Sequence, residues 1–224
     1  MVISLYFTQD FIPKLKDHLL MRLLNQEYNG DEENFTDADR LSVRILNNRI
    51  YSCQVLRINY TTYDCRRDQD TINPRTNCDV MVHSREVEPN AQPFWYARIL
   101  GVFFTEVLHV GAASRNLSKQ RMEFLWVRWF GEEPGHRWGF KAARLPKIGF
   151  VPDSDISAFG FLDPSLVLRG CHLIPSFVDG CTSSLLKTAQ RTAGRRPEDS
   201  DDWTNYYVNM YVVYIHVSRN THMS

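Results

Sequence analysis

The stretch MEFLWVRWFGEE at residues 122–133 decides the fold prediction, because large apolar side chains occupy both of its faces. A strand places alternate residues on opposite faces. One face then carries Met122, Phe124, Trp126, Arg128 and Phe130, and the other carries Glu123, Leu125, Val127 and Trp129. This pattern is typical of a central strand that is covered on both sides. Burial of one such side chain contributes ~1.5–3 kcal/mol, so core packing accounts for most of the run. The floor of a ligand pocket is the alternative.

Arg128 is the exception within this apolar run. A buried arginine needs a carboxylate partner, since an unpaired buried charge is costly. Glu106 and Glu123 are the candidates.

The stretches on both sides of this run also have strand character. FWYARILGVFFTEVLHV (94–110) predicts a long strand with a bulge or bend at Gly101, and it forms a hairpin with RMEFLWVRWFG (121–131). Shorter strands are predicted by their β-branched and aromatic content. They are NNRIYSCQVLRINYTTYD (47–64), DVMVHS (79–84), KIGFVP (147–152), residues 167–174 after a turn at Pro164, and WTNYYVNMYVVYIHVS (203–218).

An amphipathic helix is predicted before the strands, in DFIPKLKDHLLMRLLNQEYNGDEE (10–33). Asp10 caps it, Pro13 lies in its first turn, and Asn29-Gly30 ends it. Its apolar face has helical spacing. That face consists of Ile12, Leu15, Leu19, Leu20, Met21, Leu23 and Leu24. Thr36 then caps one short helical turn.

One helix followed by about seven strands predicts a mainly β fold, a small curled β-barrel with an N-terminal amphipathic helix. The chain divides into an N-terminal helical segment at 1–42, a β-barrel domain at 43–185, a flexible loop at 186–202, and a C-terminal strand and tail at 203–224. Proline, glycine and charge without periodicity indicate the loop.

Composition restricts the classes of partner. The chain has 26 Lys and Arg against 26 Asp and Glu, so any basic face for nucleic acid must be local. Its five cysteines form no C-x-x-C pair, which predicts reduced thiols in an intracellular protein, nuclear or cytoplasmic. No stretch approaches the ~20 apolar residues of a membrane span, so no membrane partner is expected.

Catalytic and metal-binding patterns are missing from the sequence. The acidic residues cluster in loops, and no P-loop, G-x-S-x-G or H-E-x-x-H motif is present. The spacing of the cysteines matches no zinc motif. We therefore expect no enzyme, no cofactor, no metal and no small-molecule substrate.

Two kinds of side chain are candidates for binding. An aromatic cage could hold a methylated ammonium by cation–π attraction, with Tyr63, Trp95 and Trp129 as the ligand-pocket aromatics. Two basic loops could contact phosphates. The first contains Arg115, Lys119 and Arg121, and the second contains Arg137, Lys141, Arg144 and Lys147. The loops lie at opposite ends of the central strand, roughly 30 Å apart. For the aromatic residues the alternative is core packing, and for the two basic loops the alternative is solvated surface loops without a ligand.

The segments FWYARILGVFFTEV, MEFLWVRWFG, IGFVP and LVLRGCHLIPSF follow one another in an order that resembles the C-terminal region of fungal transposon-encoded proteins of the Plavaka and KDZ kind. The resemblance covers about residues 10–210. The segments YARI, VRWF and VLRGCHLIP, the last of which contains Arg169, resemble the bromo-adjacent homology (BAH) domain more weakly. This domain is a β-barrel that reads chromatin or mediates protein contacts. The resemblance implies an SH3/BAH-like barrel.

These resemblances imply a non-catalytic interaction module that contacts chromatin, nucleic acid or a protein partner such as the transposase core. The transposase catalytic domain of such proteins lies upstream, and residues 1–9 and the C-terminal tail depart from the pattern. The alternative is therefore a structural appendage without a ligand of its own. Its apolar helix face at 11–24 would pack on a missing transposase domain.

Overall fold

A computed structural model describes residues 11–26, 35–61, 66–86, 92–111, 114, 116–182 and 202–209, apart from the side chain of Phe140. The helices are α1 Phe11–Leu23 and α2 Asp37–Ser42, and short 3-10 turns occupy Phe140–Ala142, Pro164–Leu166 and Phe177–Asp179. The strands are β1 Val43–Cys53, β2 Leu56–Thr61, β3 Arg67–Ile72, β4 Asp79–His83, β5 Phe94–His109, β6 Gln120–Glu132, β7 Lys147–Phe150, β8 Phe159–Leu162, β9 Val167–Gly170, β10 Leu173–Pro175, β11 Cys181–Thr182, β12 Asp202–Trp203 and β13 Asn205–Val208.

The main sheet curls into a half-barrel around the β5–β6 hairpin. Its strands follow the order β10-β13-β7-β6-β5-β4-β9. β1 pairs with β5 beyond the end of β4, and β8 pairs with β6 beyond the end of β7. Each long strand of the hairpin therefore has two partners along one edge. The prediction of a mainly β, barrel-like fold with an N-terminal helix is confirmed.

The hairpin forms as predicted, with one irregularity in its register. Phe104 lies opposite Glu123, and Ala97 lies opposite Trp129, but the pairing shifts between Ile99 and Gly101. The bulge predicted at Gly101 is thus confirmed. A bulge bends and twists its strand, which suits a sheet that must curl.

The central strand β6 is buried on both faces, as its sequence predicts. Phe124, Leu125, Trp126 and Val127 are all buried. On one face, α1 covers the hairpin with an apolar set that packs on Phe124 and Trp126. That set is Phe11, Leu15, Leu19 and Leu20. On the other face, Leu125 and Val127 pack in a cluster with residues of the β2–β3 hairpin.

Helix α1 ends earlier than the sequence predicts. Asn25 has a φ of 55° and donates its backbone N–H to the Arg22 carbonyl, while Gln26 donates to the Met21 carbonyl. This is a Schellman ending, in which an asparagine takes the left-handed position usually held by glycine. The predicted end at Asn29-Gly30 is therefore wrong, and Asp10 lies outside the described residues. The short helix predicted at Thr36 is confirmed, because Thr36 and Asp39 form a capping box.

Several strand boundaries also differ from the prediction. β1 begins at Val43, so Asn47 and Asn48, where the predicted strand begins, lie inside it. Those two asparagines have positive φ and lie in a bulge inside the strand. The strand predicted at 167–174 is divided into β9 and β10, which pair with β4 and β13 respectively. β8 was not predicted. The division into four segments stays a prediction, since residues 1–10, 183–201 and 210–224 lie outside the described ranges.

Candidate nucleic-acid interface

Two of the three aromatic residues predicted to line a ligand pocket lie among the described residues, so the pocket stays a prediction. Trp95 and Trp129 do come together, with ring centroids 6.4 Å apart and planes at 80°. The two rings contact each other edge to face, and both also pack against the apolar cluster that contains Leu125 and Val127. The Trp95 indole donates to Glu86 Oε1 at 2.9 Å. Tyr63 lies outside the described residues.

A ring of three aromatics does occur elsewhere, and the chain's own Arg98 fills it. The Arg98 guanidinium lies 5.6, 5.1 and 5.2 Å from the ring centroids of Phe130, Phe150 and Tyr206. It also forms ion pairs with Asp79 at 2.8 Å and Asp202 at 2.9 Å. The arrangement stabilises the fold and leaves no space for an external cation.

The first predicted basic loop is largely neutralised by neighbouring acids. Lys119 pairs with Glu106 at 2.9 Å, and Arg121 pairs with Glu123 at 3.0 Å. Arg115 lies outside the described residues. The expectation that Glu106 or Glu123 accepts from Arg128 is wrong, since both carboxylates lie on the opposite face of the hairpin from Arg128.

The second predicted basic loop carries unmatched positive charge. Arg137, Lys141 and Arg144 are exposed, and none of them forms an ion pair with the described residues. We call residues 136–145 the basic loop. Lys147, which follows it, is instead paired with Asp179 at 2.8 Å. The three cations are therefore available to an anionic partner.

Backbone contacts give the basic loop a defined shape. Gly139 donates its N–H to the Arg144 carbonyl at 2.9 Å and has a φ of 101°, which a side chain would disfavour. His136 Nε2 contacts the Leu145 carbonyl oxygen at 3.0 Å. A side-chain hydrogen bond from Trp138 to Glu132 joins the loop to the end of β6. Burial raises the pKa of Glu132, followed by the nearby charge of Glu86.

An aromatic stack on the open face of the β1–β5–β6 sheet was not predicted from the sequence. The rings of Tyr51 and Phe104 are stacked, with centroids 4.8 Å apart and planes at 11°. The Arg121 guanidinium lies 3.9 Å from the Phe104 centroid. We call these three residues the aromatic stack. They come from three different strands, so only the register reveals them; the one signal in the sequence is an aromatic residue in an otherwise polar part of β1.

The described residues contain little that suggests catalysis. Within them, no group of three or more His, Cys, Asp or Glu side chains could hold a metal ion. Burial raises the pKa of the Cys78 thiol to about 12 and that of Cys171 well above its usual value, which disfavours both as nucleophiles. Cys53, Cys78, Cys171 and Cys181 are free, as predicted, and Cys65 lies outside the described ranges. No described helix is long and apolar enough to cross a membrane.

No family model, curated protein or solved structure matches this chain. What the structure defines is a β-rich half-barrel with an N-terminal helix, an exposed basic loop and an aromatic stack on an open sheet face.

Proposed function

We propose that this chain is a non-catalytic interaction module that binds nucleic acid, with the basic loop as its phosphate contact. The observation that carries the proposal is the exposure of Arg137, Lys141 and Arg144 without an acidic partner among the described residues. Phosphate contacts by arginine and lysine supply most of the affinity of sequence-independent nucleic-acid binding.

The contrast with other cations in the structure supports this assignment. Arg22, Arg40, Arg98, Lys119, Arg121 and Lys147 all form ion pairs within the chain. An exposed ion pair contributes ~0–1 kcal/mol to stability, so its main effect is to cancel local charge. The three cations of the basic loop keep their charge, and they lie within a span of eight residues.

The resemblance to transposon-encoded and BAH proteins is compatible with this proposal, since nucleic acid is one of the three partner classes that it implies, beside chromatin and a protein partner. A nuclear location and a transposon origin belong to this proposal. The alternative, a structural appendage docked through α1, loses its main argument. Leu15 and Leu19 of that helix are fully buried against the chain's own sheet.

A charge-matched pair of variants tests the proposal. Arg137→Gln/Lys141→Gln/Arg144→Gln is expected to weaken binding of a fluorescein-labelled oligonucleotide, measured by fluorescence anisotropy at several salt concentrations. Each lost phosphate contact reduces the magnitude of the slope of log K against log salt by about 0.7–0.9, so the loss of all three reduces it by roughly 2–3.

The control variant removes three exposed arginines on other parts of the surface, Arg57→Gln/Arg67→Gln/Arg85→Gln. It changes net charge by the same amount and is expected to keep the wild-type slope. Equal losses in both variants would show that only net charge matters. Absence of binding by the wild-type chain at low salt would overturn the proposal.

A further inference from the structure

We infer that the aromatic stack is a base-stacking site, and that the nucleic acid bound by this chain is therefore single-stranded. The inference rests on the proposed function, because a base reaches the stack only if the chain binds nucleic acid. It adds the class of ligand and assigns Tyr51 as the residue that receives an unpaired base.

The geometry of the stack leaves one aromatic surface open. Arg121, Phe104 and Tyr51 follow one another across β6, β5 and β1. Phe104 lies between the other two groups, so the guanidinium and the Tyr51 ring cover it. Among the described residues, Tyr51 stacks only on Phe104, and it is 38% exposed. The ring surface that faces away from Phe104 therefore has no stacking neighbour within the described residues.

The position of Tyr51 in the sheet makes that surface accessible. Among the described strands, β1 pairs only with β5, so Tyr51 stands at an edge. On the buried face, Ile50 packs against the core cluster under α1. Tyr51, one residue later, points to the open face. A planar group that stacks on Tyr51 would extend an existing series of parallel planes.

The charge on the face that carries the stack favours an anionic ligand over a basic one. Arg44 lies on the same face, opposite Leu108, and is exposed without an ion pair to the described residues. Phe104 and Leu108 are four positions apart on β5, which places Arg44 roughly 14 Å along the strand from Tyr51. An unmatched cation about 14 Å along the strand from an exposed aromatic ring fits a nucleic-acid strand, which offers both phosphates and bases.

A duplex does not fit the same surface. Every base inside a double helix already has both faces stacked, so its base can reach Tyr51 only after it leaves the helix. A single strand offers unstacked bases directly, and base–aromatic stacking tolerates any sequence because each base has a π-face. The stack therefore predicts preference for single strands with little sequence specificity.

The test compares the full chain with the variant Tyr51→Leu, which keeps apolar bulk but removes the ring. Anisotropy of a labelled single strand and of a duplex of the same length reports affinity. An oligonucleotide that contains 2-aminopurine reports stacking, because its fluorescence is quenched when the base stacks. Tyr51→Leu is expected to weaken single-strand binding about tenfold, to leave duplex binding unchanged, and to lose the quenching.

Two further variants complete the test. Tyr51→Trp is expected to restore both affinity and quenching, because it restores an aromatic plane. Phe177→Ala removes an aromatic residue outside the aromatic stack that is 71% exposed. This control variant is expected to change neither the affinity nor the quenching. The urea midpoint of each variant shows that the fold is intact.

The outcomes separate this inference from the proposed function. Single-strand binding and quenching that survive in Tyr51→Leu, but fall with the basic-loop variant, would overturn the stacking site and leave phosphate binding in place. Equal or tighter binding of the duplex by the wild-type chain would also overturn it. Failure of the wild-type chain to bind either form would overturn both proposals.

Discussion

At the residue scale, two neighbouring arginines of the sheet, one partly buried and one fully buried, are compensated differently. Arg98 and Arg128 lie directly opposite each other on β5 and β6. Like charges in this position repel each other. Arg98 is compensated by two carboxylates, Asp79 and Asp202. Arg128 is 1% exposed, and its Nε and Nη1 have no hydrogen-bond partner within the described residues.

Arg128 is held mainly by an aromatic ring and a distant charge. Its guanidinium lies 4.5 Å from the Phe159 centroid. Burial lowers the pKa of Arg128 to about 10, and the charge of Asp153 opposes this only in part. The residue therefore remains protonated at neutral pH at an energetic cost.

The two arginines are expected to respond in opposite ways to the same substitution. Arg98→Met leaves Asp79 and Asp202 without their cation and should lower the free energy of unfolding by about 3–5 kcal/mol. Arg128→Met removes a charge that is only partly compensated and should be neutral or stabilising by about 1 kcal/mol. Urea denaturation followed by tryptophan fluorescence measures both. A large destabilisation by Arg128→Met would indicate a partner that the described residues do not include.

At the element scale, the β5–β6 hairpin shows what the sequence can predict. Its long runs of alternating apolar residues determine both strands, and Gly101 marks the bulge. Burial on both faces of β6 follows from the same pattern. The partner of Arg128 could not be predicted, because side-chain pairs across a sheet depend on register and on the bulge.

The candidate site could be predicted only in part for the same reason. Arg137, Lys141 and Arg144 lie close together in the chain, so composition alone reveals the basic loop. Lys119 and Arg121 look similar in the sequence, but their acidic partners come from neighbouring strand positions. The aromatic stack could not be predicted from a local sequence pattern, because its residues come from three different strands.

The bulge makes Gly101 sensitive to substitution. A Cβ at this position would collide with the ring of Phe103, which itself stacks on Phe124 with centroids 5.6 Å apart. Gly101→Ala should therefore destabilise the fold by about 1–3 kcal/mol through overpacking. The measurement is the urea midpoint at constant m-value.

Gly131 provides the matched control on the partner strand. A Cβ there would meet Val151 Cγ2 at 3.6 Å, an ordinary contact. Gly131→Ala should be neutral or stabilising by about 0.4–1 kcal/mol, since it restricts the unfolded chain. If both alanines destabilise equally, the general cost of changing the hairpin, and not the bulge, would explain the result.

At the scale of the whole molecule, α1 closes one side of the sheet and joins distant parts of the chain. Besides its apolar contacts, Arg22 of this helix pairs with Asp163 at 2.7 Å. Asp17 is almost fully buried and pairs with Arg40 of the second helix at 2.7 Å. The helix is therefore part of the core, and its buried apolar residues are not available to a partner.

The docking of α1 also makes stability depend on pH. His18 of α1 is buried, with its ring 5.8 Å from that of Phe161. Burial, together with a smaller contribution from the positive charge of Arg22, lowers the pKa of His18 from 6.5 to about 3. Between these two pKa values the unfolded chain binds a proton that the folded chain does not. Stability is therefore complete above about pH 6.5 and falls as the pH decreases.

We expect His18 to cost about 1.4 kcal/mol of stability for each pH unit below 6.5, down to about pH 3. Urea denaturation at neutral and mildly acidic pH measures this dependence in the wild type and in His18→Leu. The leucine variant should lose that part of the dependence, because it has no group to protonate, while all other titrating groups are shared. Identical pH profiles for the two proteins would mean that His18 reaches solvent in the folded state, and that α1 is attached less tightly than its burial indicates.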